Sequence, residues 1–366
     1  MEAIQPFNRP VAVELEEYYR AIRSYIAKVT SIPGVRSAYT MGSIKAPGLS
    51  DIDMVLVVDD NFESGDSHQL STSGIDNRLF LHGPVVLPKS MSPTLQYVIY
   101  ATGLDRRHGE DNLPAFEQLD AEVANTLRMA YAIDFLQSRQ VQYERVLRSR
   151  RIDQRAWMTR LWSLIHSEAL FDDAGVEISD SNRHVLERIR SLREQWNESR
   201  SIDDREFIEI FLLSMQTSRS LWLSALNYGY ERTDERTDCL KFRANNMLFE
   251  FREEFESCEA GFWRIRIPRF PVTIQHVKAN PIYVAHLAMY GYVDANLVPA
   301  TSTLDGGCLA ARARHVRQHQ DWIARHCARA GSMSGYTGIG SGSGGLIRRS
   351  AAFLVGMVRG YDVMRT

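Results

Sequence analysis

Residues 51–58 read Asp-Ile-Asp-Met-Val-Leu-Val-Val. The apolar, β-branched run from Ile52 to Val58, closed by Asp59-Asp60-Asn61, predicts a strand. Side chains alternate along a strand, so Asp51 and Asp53 project together while Ile52, Met54 and Leu56 enter a core on the other face. Two carboxylates held side by side repel unless a cation sits between them. Magnesium suits that place because it takes oxygen ligands, keeps several waters and shares one or two carboxylates with substrate phosphates. Two such ions can steady both the attacking and the leaving oxygen of an in-line phosphoryl displacement.

A second feature lies just upstream. Gly42-Ser43 follows a short strand candidate, Val35 to Thr40. Glycine lets the backbone approach a phosphate closely. Free N–H groups and the Ser43 hydroxyl can then hold that phosphate, as a helix N-terminus does. Lys45 adds positive charge, Ser50 stands next to the acidic pair, and Pro47-Gly48 turns the chain into the acidic strand. Gly42, Ser43, Lys45 and Ser50 are therefore candidate nucleotide-binding residues, and Asp51 and Asp53 candidate metal ligands.

Met41-Gly42-Ser43 followed by Gly48-Leu49-Ser50-Asp51-Ile52-Asp53-Met54 resembles the signature of the DNA-polymerase-β-like nucleotidyltransferase superfamily. The resemblance covers roughly residues 11–90. It implies transfer of a nucleoside monophosphate from a nucleoside triphosphate to a hydroxyl or phosphate, with release of pyrophosphate. It also implies that Gly42 and Ser43 hold the triphosphate and that Asp51 and Asp53 hold Mg2+ or Mn2+. One departure stands out. The family carries a third carboxylate on a later strand, where this chain reads Arg78-Leu79-Phe80-Leu81-His82-Gly83-Pro84-Val85. His82 occupies the corresponding place, and Asp76 lies near the start of the segment. Histidine can serve as a general base near neutral pH, but it is a poorer magnesium ligand than a carboxylate. Three readings follow: His82 replaces the base, Asp76 reaches in, or the site binds nucleotide without turning it over. The bland alternatives are a surface strand with a chance acidic pair, and a hydrogen-bonded structural histidine.

The expected fold class is α/β (α+β), a small nucleotidyltransferase-type sheet with flanking helices followed by a mostly helical part. Val13 to Val29 recur at helical spacing over residues 11–30. Ile75 to Leu87 carries a third strand signal, split by His82-Gly83-Pro84. Helical faces then run through Leu119–Ala130, Trp157–Ile165, Val185–Trp196 and Phe207–Met215, with caps at Asp180-Ser181-Asn182. The expected division is 1–113, a nucleotidyltransferase-like domain; 114–330, a mainly helical acceptor-side domain; and 331–366, a Gly/Ser-rich segment with a C-terminal helix. Within the second part, Phe262 to Phe270 alternates like a half-buried strand, with Arg264, Arg266 and Arg269 beside Trp263.

The remaining signals are weaker. Gly340 to Gly345 contains a literal G-x-G-x-x-G but lacks the surrounding βαβ unit that a dinucleotide site needs. His315 and His319 share a helical face, with no partner at metal-ligand spacing, and read as a solvated polar face. Leu346 to Thr366 reads as a C-terminal helix packing back onto the bundle, ahead of a basic amphipathic helix for a membrane surface or an acidic partner. The formal net charge of −2 does not advertise a long polyanion as partner, so a small-molecule, glycan-type or protein acceptor is expected ahead of nucleic acid. The four cysteines form no C-x-x-C pair, which fits free thiols in a cytoplasmic protein. No apolar stretch reaches the ~18 residues of a membrane span.

Overall fold

Four strands form the sheet that carries the acidic pair: β2 (Val35–Met41), β3 (Asp53–Val58), β4 (Val85–Pro88) and β5 (Asp105–His108), in the order β4-β3-β2-β5. The computed structural model describes residues 4–63, 69–72, 74–76, 78–231, 239–244, 247–252, 256–260, 263–267 and 306–327. Strand β3 is antiparallel to β2 and parallel to β4, and β5 is antiparallel to β2. The sheet is thus mixed and flanked by helices, in keeping with the α/β class.

Strand β3 is buried on both faces. Met54, Leu56 and Val58 pack with Tyr18, Ile22, Tyr25 and Val29 of helix α1 (Leu15–Thr30). Val55 and Val57 pack the other way with Tyr39, Val85, Leu87, Leu95 and Ile99. Ile52 joins the α1 side as the alternation predicts. Helix α1 begins four residues later than its periodicity suggests. Its first turn is held by the Glu14 N–H, which donates to Glu17 Oε1 at 3.1 Å.

The third strand is shorter than the sequence signal. Among the described residues of that signal only Val85–Pro88 pairs with β3, while Ile75, Arg78 and Leu79 lie in turns or bends. Asp76 Oδ1 accepts from the Arg78 N–H at 2.9 Å and the Leu79 N–H donates to the Asp76 carbonyl at 3.0 Å, an aspartate-driven turn. Leu79 and Phe80 are nevertheless buried, and the Leu79 carbonyl accepts the Ile52 N–H at 2.8 Å. Their apolar character anchors a loop and does not mark a strand.

The helical part consists of α3 (Ala121–Ser149), α4 (Gln154–Asp173), α5 (Asp180–Ser199) and α6 (Asp204–Glu231). Between β4 and β5 lies the single turn α2 (Leu95–Val98). Asp120, Asp153 and Ser179 cap α3, α4 and α5 through their side-chain oxygens. The core is aromatic: Tyr143, Trp157 and Phe211 meet at centroid distances of 4.7–5.2 Å. The N-terminal strand β1 (Gln5–Phe7) pairs in parallel with β6 (Arg151–Asp153), which joins α3 to α4. Strands β7 to β10 (Cys239–Ala244, Met247–Arg252, Glu256–Ala260, Trp263–Ile267) form an antiparallel meander, so the strand expected over Phe262 to Phe270 is present from Trp263 to Ile267. The Gly340–Gly345 motif and the basic segment 346–366 lie outside the described residues.

Helix α7 (Gly306–His326) fastens both cores. Cys308, Leu309, Ala313 and Val316 enter the helical core, while Trp322 and Cys327 enter the α1 side of the sheet. Arg312 is buried, pairs with Asp134 and lies 4.3 Å above the Tyr131 ring. His319, expected on a solvated face, is buried instead; its Nε2 donates to the Val86 carbonyl at 2.7 Å. Helical periodicity assigns it a face, but only the sheet beneath decides that the face is covered. No helix among the described residues is long and apolar enough to cross a membrane.

Candidate functional site

The register of β2 and β3 builds one end of the sheet. Met41 pairs directly with Asp53, so Gly42 and Ser43 leave β2 at the level where the acidic strand begins. Gly42 has φ +75, a left-handed value that favours glycine, and open space where a Cβ would stand. Its N–H donates to the Thr102 carbonyl at 3.0 Å, so it is not available to a phosphate. Ser43 and Lys45 are exposed. Ser50 faces inward: its Oγ accepts from the Ala46 N–H at 3.1 Å and from Arg193 at 3.0 Å. It braces the loop from within.

Asp51, Asp53 and His82 come together. Their potential ligand atoms all lie within 4.8 Å of one another, a group that could hold a metal ion. His82 Nε2 is 2.6 Å from Asp53 Oδ1 and 3.9 Å from Asp51 Oδ2. Its Nδ1 lies 2.8 Å from the Gly83 carbonyl. Asp76, the other candidate for the missing carboxylate, is not in this group; it pairs with Arg78, whose contact holds its carboxyl below the usual range. No third carboxylate joins the pair among the described residues.

The electrostatics follow from crowding. Burial and the neighbouring Asp53 charge push Asp51 up to about 7. Burial alone would lower His82, but the contact with Asp53 and the charges of both carboxylates override it and push the imidazole up to about 9. The protein alone therefore neutralises its acidic pair with protons, one on the imidazole and a share on Asp51. A divalent cation would replace that arrangement, and the two carboxylates fit one by donor chemistry and position.

The helical part grips the loop that delivers the pair. Trp196 of α5 donates from Nε1 to the Pro47 carbonyl at 3.0 Å, Arg155 of α4 from Nε to the Gly48 carbonyl at 3.2 Å, and Thr159 of α4 from its hydroxyl to the Leu49 carbonyl at 2.9 Å. Tyr18 donates to the Ser50 carbonyl at 2.7 Å and accepts the Gly48 N–H at 2.9 Å. Gly48 allows this approach: at φ +93, a Cβ there would lie 2.5 Å from the Val11 carbonyl oxygen.

Sequence reasoning missed this side of the site. Arg155, Thr159, Trp162 and His166 fall at helical spacing on one face of α4. Arg193 stacks 4.4 Å from the Trp162 ring, and burial lowers its guanidinium to about 10 against the pull of Asp51. His166 is exposed; burial of its surroundings and the Arg193 charge lower it, while Asp53 acts in the opposite sense. The spacing of this polar and aromatic stripe is visible in the sequence, but nothing there says that it meets residues 47–53.

No family model matches the chain, and neither a curated protein nor a solved structure matches it.

Proposed function

We propose that this chain is a divalent-metal-dependent nucleotidyltransferase that moves a nucleoside monophosphate from a triphosphate to a hydroxyl or phosphate of a small-molecule, glycan-type or protein acceptor. The observation that carries the reading is the Met41–Asp53 register pair, which sets the Gly42-Ser43 turn beside the Asp51–Asp53–His82 group.

In this reading the acceptor oxygen attacks the α-phosphorus, the bond from that phosphorus to the bridging oxygen of the β-phosphate breaks, and pyrophosphate leaves. Bound Mg2+ or Mn2+ would supply charge neutralisation at the phosphate oxygens and hold the attacking and leaving oxygens in line. Asp51 and Asp53 orient that cation. Ser43 and Lys45 bind the triphosphate, Gly42 giving the turn its shape. Arg155 and Arg193 keep positive potential next to a site that must accept a polyanion. The acceptor proton goes to solvent or to a neighbouring base; His166, whose pKa is lowered and which interacts electrostatically with Asp53, is a candidate for that base.

The missing third carboxylate favours a second reading, a nucleotide-binding protein on this framework that no longer turns substrate over. The inward contact of His82 with the pair weighs against it, because a lapsed site has no reason to keep that group assembled. A nucleic-acid acceptor would call for a continuous arginine surface, and the side chains of Arg264, Arg266 and Arg269 lie outside the described residues.

Incubation with α-labelled ATP, CTP, GTP and UTP plus Mg2+ or Mn2+ tests the proposal. Labelled product and pyrophosphate are expected from one or more triphosphates. Absence of triphosphate binding, or transfer that survives Asp51→Asn with Asp53→Asn, would refute it.

A further inference from the structure

We infer that His82 is the third protein ligand of the cation held by Asp51 and Asp53, and that the site takes a first-row transition-metal divalent ion in preference to magnesium. This rests on cation binding by the acidic group and not on nucleotidyl transfer.

The orientation of the ring comes first. A carbonyl oxygen can only accept, so the 2.8 Å contact between His82 Nδ1 and the Gly83 carbonyl puts a proton on Nδ1. The other nitrogen, Nε2, is then the coordinating atom, and it is the one turned to Asp53 Oδ1 at 2.6 Å and Asp51 Oδ2 at 3.9 Å. A carbonyl partner that fixes one ring nitrogen while the other faces the metal position is the usual support of a ligating histidine. Asp53 Oδ1 is sealed from solvent and no well-aligned hydrogen bond reaches it.

The contrast with His319 is informative. That imidazole is more deeply buried than half-buried His82, and its Nε2 ends on the Val86 carbonyl, a structural contact. His82 reverses the pattern, with its carbonyl contact on Nδ1 and its Nε2 among carboxylates.

Ligand type then decides the ion. Magnesium prefers oxygen donors throughout, whereas imidazole suits zinc, copper, iron and nickel; manganese stands at the oxygen-seeking end of the transition series, which makes it the most demanding probe of the preference. Two carboxylate oxygens and one imidazole nitrogen form a mixed set. It keeps oxygen-seeking character for phosphate chemistry but adds affinity that magnesium cannot use.

The test uses the full chain and paramagnetic Mn2+, whose free-ion resonance disappears on binding, with Mg2+ as competitor. The wild type should bind Mn2+, and an equal concentration of Mg2+ should leave most of it bound. His82→Asn should weaken Mn2+ binding by about tenfold or more, the scale of losing a group that supports a metal site, with little change for Mg2+. His82→Asp should restore an all-oxygen set and narrow the preference, which gives a second reading should the asparagine variant not fold. Displacement by Mg2+ at equal concentration, or undiminished Mn2+ binding in His82→Asn, overturns the assignment. Nucleotidyl transfer in a protein showing either result would leave the functional proposal standing without this one. A wild type that binds no Mn2+ overturns the metal assignment itself.

Discussion

His82 Nε2 and Asp53 Oδ1 stand 2.6 Å apart at the end of the sheet, although the two residues lie 29 positions apart in the chain. This contact organises the charge of the whole group. It keeps the imidazole cationic while burial and Asp53 together keep Asp51 partly protonated.

A pH dependence of stability follows. Both groups titrate higher in the folded protein than in the unfolded chain. The Asp51 contribution is fully present below an ordinary aspartate value of about 3.9 and is lost as pH rises through about 7. The His82 contribution is present below about 6.5 and is lost as pH rises through about 9. The metal-free melting temperature should therefore fall from mildly acidic to alkaline pH. Asp51→Asn should flatten the lower part of that profile, and Mn2+ should raise the melting temperature more as pH increases. Thermal melts across pH, with and without the ion, check all three; a profile in Asp51→Asn identical to wild type would contradict the assignment.

Asp53→Asn should cost at least on the order of a hundredfold in transfer rate, the scale of losing a preorganised charge-stabilising group. It should leave the fold intact, because it removes a repulsion with Asp51 as well as a partner for His82. Steady-state pyrophosphate release together with a melting curve separates loss of function from loss of structure.

Two glycines should respond differently to alanine. At Gly48 the new Cβ would meet the Val11 carbonyl oxygen at 2.5 Å and Trp196 Cζ2 at 2.8 Å, at φ +93. Clash and left-handed strain together should cost about 2 kcal/mol or more. At Gly42 the space is open and only the φ of +75 is unfavourable, so the cost should be near 1 kcal/mol and the larger effect should fall on triphosphate affinity. Denaturant melts and nucleotide titrations on both variants distinguish them.

The grip on the delivery loop can be loosened from the helical side. Trp196→Phe keeps most of the buried ring but removes the Nε1–H bond to Pro47. The Pro47 carbonyl keeps the Arg200 Nη1 donor at 3.2 Å, so a loss of about 1 kcal/mol is expected, the net scale of one hydrogen bond. If residues 47–50 position the acidic pair, the variant should also lose transfer rate in excess of any loss of triphosphate affinity. Unchanged turnover in a destabilised protein would assign Trp196 a purely structural role.

Much of the sheet's working end was legible because its signals are local. The alternation of Asp51, Ile52, Asp53 and Met54 correctly separates a polar face from a core face, whereas the Gly42 N–H expected to be free for a phosphate is bonded to the Thr102 carbonyl. The helix faces of α1 and α3 to α6 were likewise readable from periodicity. The Ile75–Leu87 signal held only after the His82-Gly83-Pro84 split, where Val85–Pro88 is a strand; before it, buried Leu79 and Phe80 anchor a turn, and a short apolar run does not distinguish the two. Arg155, Thr159, Arg193 and Trp196 were not legible as partners of residues 47–53: they lie more than a hundred positions away in the chain, and only packing brings them there. His319 was misplaced for the same reason, since a helix pattern names a face without naming what covers it.

The most direct test is a structure with Mn2+ and a non-hydrolysable nucleoside triphosphate, in which the metal's anomalous signal locates it independently of interpretation. The account predicts a manganese peak bounded by Asp51, Asp53 and His82, with the triphosphate lying along Ser43 and Lys45. A triphosphate bound elsewhere, or a peak away from the acidic pair, would contradict it.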